Sequence, residues 1–218
     1  MGFGREARRA ANPQLPVQYR VHALGSCIQL AQPIGFHATW RYLELRTGVL
    51  WREPEFVAPA LQLLLEERAA HLKLAEEYSE ARRRQKHAGY RFPPLQHATP
   101  VTPCRWHGDE ETGALVTLRT VLEMDRFDES KLATGPAHLT LQAARQAADG
   151  NRSTLDPAEL QSSLDWSRRQ ISVIGWEADR ESYHAAWQSL RLLGQLHLLL
   201  HGAVPIATPW NFVAPPSG

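Results

Sequence analysis

Apolar positions along the chain fall into helical stripes separated by proline and glycine. From about Val17, the residues Val21, Leu24, Ile28 and Ala31 recur at three- and four-residue steps, which is the spacing of one helical face. Pro33 and Gly35 end that run. A second stripe, Phe36, Trp40 and Leu43, follows and stops at Gly48. The clearest pattern is EPEFVAPALQLLLEERAAHLKLAEEYSEARRRQKHAG. It predicts a long helix with Pro54 or Pro59 in its first turn, Leu61, Leu64, Leu65, Leu72 and Ala75 on one face, and Gly89 at its end. Its acids come early and its bases gather late, the order the helix dipole favours, and Glu80 stands one turn before Arg84.

Residues 89–113 carry four prolines and no period. After them, ALVTLRTVLEM places Leu115, Leu118 and Leu122 at helical spacing. Its Val and Thr content would also suit a strand, but no neighbouring segment offers a pairing strand, so a helix is expected. A short helix is predicted over residues 136–148, ended by Asp149 and Gly150. Asp156, Pro157 and Glu159 form the start signal of another. The last helix runs from about Glu177 to His201 and stops at Gly202 and Pro205.

The expected class is therefore all-α, a helical bundle of about six or seven helices in two halves joined by a Pro-rich connection. Residues 1–16, with Arg5, Arg8 and Arg9, are expected to form a basic mobile arm. A single helical domain follows over 17–204, with halves 17–88 and 114–204 and the connection 89–113 between them. Residues 205–218 form a Pro-rich tail.

Composition narrows the function classes. With 43% hydrophobic and 22% charged residues, the chain can bury a core and is not a disordered polyelectrolyte. A net charge of +1 gives no global attraction to nucleic acid or anionic lipid, so such binding would need a local patch. The two cysteines, Cys27 and Cys104, are far apart and fit a reducing compartment. The opening MGFGREARRAANPQLP lacks the apolar core of a secretory signal, and the apolar runs are too short to span a bilayer. A soluble cytoplasmic protein without membrane contact is the expectation.

Three groups of residues could carry chemistry. In GQLHLLLHG, His197 and His201 stand one helical turn apart and could hold one divalent metal if Glu67 and His71, a similar pair on the long helix, came to meet them. The run LLL between the histidines lacks the glutamate of HExxH, so no general base comes with the pair. The competing expectation is that His197 bonds within the core and His201 sits at a helix end. In the connection, Cys104 and His107 have the two-residue gap of a zinc half-site, with His97 as a third candidate ligand, but a second close pair is missing. Arg82, Arg83, Arg84 and Lys86 could grip phosphates, although a basic last turn is also what any helix prefers. Among the seven tryptophans, Trp51, Trp106 and Trp210 stand in loop or tail contexts and are expected to anchor on the protein's own surface.

No phosphate-binding glycine loop, dinucleotide fingerprint or nucleophile elbow is present in the sequence. The expected function is non-enzymatic binding, as an adaptor or assembly component acting on a protein partner or on itself. The alternative is a helical-bundle enzyme with a His/Glu metal or acid–base site. The third reading is nucleic-acid binding through the arginine-rich helix end and the N-terminal arm.

Overall fold

The computed structural model describes residues 2–50, 53–89, 105–124, 129–132, 136–151, 157–169 and 180–201. The protein is an all-α helical bundle, with eight α-helices and no strand among the described residues. The chain divides into two compact units, Met1–Gly113 and Ala114–Gly218.

The first unit is built from α1 (Phe3–Ala11), α2 (Val17–Ala31), α3 (Phe36–Thr47) and α4 (Val57–His87). The first of these corrects the expectation of a mobile arm. Phe3, Ala7 and Ala10 lie on one helical stripe, and α1 packs against α2 and α4, burying Glu6 and Ala10. Arg9 reaches Glu6 at 2.9 Å. Arg20 of α2 donates from Nε to the Ala10 carbonyl at 3.0 Å, which satisfies an acceptor at the end of α1.

Helix α2 follows the predicted stripe, with Val21, Leu24, Cys27 and Ile28 buried. Gln32 ends it in the left-handed region at φ 43°. Helix α3 buries Ala38, Thr39, Tyr42 and Leu43 and stops at Gly48 as expected. A short 3-10 turn, Pro54–Phe56, leads into α4.

The 31 residues of α4 extend about 46 Å at 1.5 Å per residue. The predicted apolar face is real only at its start. Leu61 and Leu64 are buried, whereas Leu65 and Leu72 are 36% and 48% exposed. Past Glu67, the buried residue on this helix is Ala81, so its second half is held by far less apolar burial than its first.

The second unit contains α6 (Pro136–Ala148), α7 (Pro157–Arg169) and α8 (Arg180–His201), which pack on one another. The residues of helix α5 (Glu110–Leu122) from Ala114 on belong to it, and a 3-10 turn spans Glu129–Leu132. Its core gathers Leu118, Val121, Leu132, Leu141, Leu160, Leu192, Leu193 and Leu196, with Ala143, Ala144 and Ala147 as small spacers on α6. Helix α8 is buried on several sides, with Ala186, Leu190, Leu192, Leu193 and Leu196 inside. The segment 114–122 is helical, in line with the preference over a strand. Buried hydroxyls bridge three helices: Ser189 lies 3.2 Å from Ser167 and 3.5 Å from Thr140. No described helix is long and apolar enough to cross a membrane.

Candidate functional site

Polar side chains of the first unit converge where the segment Arg105–Asp109 meets α3 and α4. Glu67 of α4 lies one turn past Leu64, so the helix that buries Leu64 in the core also buries this carboxylate; its side chain is 2% exposed. A buried carboxylate needs a donor, because leaving one unpaired costs several kcal/mol. His107 supplies it: Nδ1 lies 2.6 Å from Glu67 Oε1, and the imidazole is 11% exposed. Since an ionised carboxylate can only accept, the hydrogen of this bond belongs to Nδ1.

His71, one turn further along α4, is half-buried, and its ring centre lies 6.0 Å from that of His107. Burial pushes the His71 imidazole below its ordinary pKa. His107, Arg105 and Arg68 act in the same direction, and Glu67 opposes them.

Two further attachments hold the same segment. Trp106 is buried and stacks on Tyr42 of α3, with ring centres 3.9 Å apart. The Tyr42 hydroxyl donates to Asp109 Oδ2 at 2.6 Å, and Arg46 Nη1 stands 3.8 Å from the same oxygen. Burial by itself would raise the Asp109 pKa, but the bonds from Tyr42 and Thr112 and the charge of Arg46 outweigh it and hold the carboxyl below its ordinary value. Burial and the Asp109 bond push the Tyr42 phenol well above its own. Asp109 also caps α5, whose first residue is Glu110, by accepting from Thr112 three positions on. Gly113 allows the close approach of Trp106. A Cβ at this glycine would lie 2.8 Å from the Trp106 Cβ.

The structure thus regroups the residues singled out by sequence. Glu67 and His71 come together with His107, a residue expected to work with Cys104 and His97. Cys104 and His97 lie outside the described residues. His197 is half-buried on α8 in the second unit; His201 ends that helix, and its side chain is outside the described ones. Among the described residues, no three His, Cys, Asp or Glu side chains are placed to hold one metal ion.

Arg83, Arg84 and Lys86 are exposed at the end of α4, and Arg82 is half-buried. The start of α1 packs on an earlier part of α4. Arg68 sits 4.4 Å over the Phe3 ring, and the fourteen residues from Arg68 to Arg82 span about 20 Å of helix. Trp106 anchors on the protein's own surface as expected, while Trp51 and Trp210 lie outside the described residues.

Sequence reasoning missed Tyr42, Arg46 and Asp109. Only Asp109 carried a usable signal, as an N-cap residue directly before a helical run. Elsewhere in this unit, burial and the Glu6 carboxylate, partly offset by Arg68, push the Cys27 thiol up to about 11. The chain matches no protein-family model, no curated protein and no solved structure.

Proposed function

We propose that this chain is a non-enzymatic binding protein, an adaptor or assembly component, which engages a protein partner or a second copy of itself through residues 89–113 and 205–218. A cytoplasmic setting is part of this reading, and the buried free thiol of Cys27 fits it. One observation carries the proposal: the polar groups at the end of the connection are bonded to side chains of α3 and α4. Glu67 accepts from His107, Tyr42 donates to Asp109, and Trp106 covers Tyr42. Groups used in this way fasten a segment to a scaffold, and segments held by rigid scaffolds are where binding residues concentrate.

The test places a photo-reactive residue at Leu95, in the connection, or at Gln29, on the exposed face of α2, of the full chain in cells. A discrete cross-linked product from position 95, absent from position 29 and lost when the residues around it, 90–94 and 96–104, become Gly/Ser while the photo-reactive residue at 95 is kept, is expected. Equal yields at both positions, or none at 95, would overturn the proposal.

The second reading is an enzyme that exchanges protons at His107. The 2.6 Å bond that His107 Nδ1 donates to Glu67 favours it, since a carboxylate on Nδ1 assigns proton exchange to Nε2. A turnover lost in His107→Gln but retained after replacement of residues 90–104 would install this reading in place of the first.

A further inference from the structure

We propose that His71 and His107 form a two-imidazole site for a borderline divalent cation such as Zn2+, with Glu67 as the carboxylate that orients His107. This pairing differs from both metal sets expected from sequence, and it stands independently of the binding role proposed above.

Distance is the first argument. A Zn–N bond of about 2.1 Å, with about 1.2 Å from nitrogen to ring centre, puts two imidazoles on one ion about 5.3–6.6 Å apart, the lower value for a tetrahedral angle. The observed separation of 6.0 Å corresponds to an N–Zn–N angle of about 130°, wider than tetrahedral and well short of the linear limit at about 6.6 Å, with the rings inclined at 49°. The second argument is the Glu67 bond. Metal-bound histidines almost always donate their other ring N–H to a carboxylate, carbonyl or water, which fixes the tautomer and raises the basicity of the ligating nitrogen. The 2.6 Å contact at Nδ1 supplies that bond and assigns Nε2 as the ligating atom of His107.

The donor type selects the ion, and the local charge is mixed. Glu67 faces His71 and attracts a cation, while Arg68 and Arg105 face it and repel one. Ca2+ and Mg2+ bind through several oxygens, which this pair of imidazoles does not offer, whereas imidazole suits Zn2+ and Cu2+. The described residues contribute two donors, so solvent completes the coordination in a titration with the metal alone. An ion held there would tie α4 to the segment that precedes α5, reinforcing the Glu67–His107 attachment.

The experiment is a calorimetric titration of the metal-stripped full chain with ZnCl2 in a non-coordinating buffer, repeated with MgCl2. With ten histidines in the chain, weak surface binding is a background, so the answer lies in single substitutions. One equivalent of Zn2+ and no Mg2+ is the expected result for the wild type. His71→Ala and His107→Ala each remove it, Glu67→Gln weakens it by about 10–100-fold, and His138→Ala on the exposed face of α6 leaves it unchanged. If His107→Ala fails to fold, His71→Ala, at a half-buried position, decides alone. Undiminished binding in folded His71→Ala, equal binding of Mg2+, or no stoichiometric Zn2+ in the wild type would each overturn the proposal.

Discussion

Gly48 ends α3 at φ 115° and ψ 178°, a region of backbone space open to glycine and nearly closed to other residues. A second constraint adds to the first, because a Cβ there would run into the Phe56 ring, which belongs to the turn that starts α4. Gly48→Ala is therefore expected to destabilise the protein by about 1–3 kcal/mol from backbone strain, with the displacement of Phe56 in addition. Chemical denaturation of the two proteins checks this, and a change below 0.5 kcal/mol, ordinary for surface positions, would show that the turn has another conformation. The sequence marks Gly48 as a helix stop but says nothing of Phe56, eight positions on. Pattern shows where a chain turns; the reason for one specific residue lies in what the turn packs against. Glu67 is a similar case. Its place beside His71 is local and readable, while its bond to His107 joins residues forty apart and follows from tertiary packing.

At the scale of elements, periodicity located α2, α3, α4 and α6 because each has an apolar stripe bounded by glycine or proline. Helix α1 escaped because it is nine residues long, with four charged residues and only Phe3 and alanines to mark its inner face. Such a segment is stable by docking on α2 and α4 rather than by propensity, and docking is invisible to a local window. Helix α4 shows the opposite error, a leucine stripe longer than the core that receives it. Leu64 is fully buried and Leu72 is 48% exposed, although both read alike in sequence. Leu64→Ala is expected to cost about 2–5 kcal/mol, as buried leucines do, and Leu72→Ala to stay within about 0.5 kcal/mol. Paired urea titrations measure the difference. Equal losses would mean that the exposed side of α4 is covered in solution, by a partner or by a second copy.

For the whole molecule, the near balance of 24 basic and 23 acidic residues leaves little net self-repulsion near neutral pH, so specific groups govern how stability varies with pH. The Tyr42–Asp109 bond puts two such groups at opposite ends of the scale. The folded-state pKa of Asp109 lies below its ordinary 3.8, so the unfolded chain binds more protons there. Its contribution is present above about pH 4 and is lost as pH falls through the depressed value. Tyr42 has a folded-state pKa above its ordinary 10.0. Its contribution is complete below that pH and is lost as pH rises past it, because the unfolded phenol ionises first. Tyr42→Phe should accordingly lower stability at neutral pH by about 1–3 kcal/mol, as expected for a hydrogen bond to a charged group. It should also flatten the profile at both ends, most completely on the alkaline side, where the titrating group itself is gone. Thermal melts of wild type and variant across the acid, neutral and alkaline ranges make the comparison. A variant curve parallel to the wild type throughout would show that Tyr42 and Asp109 are not coupled in solution, and one of the three attachments of the segment before α5 would then be absent.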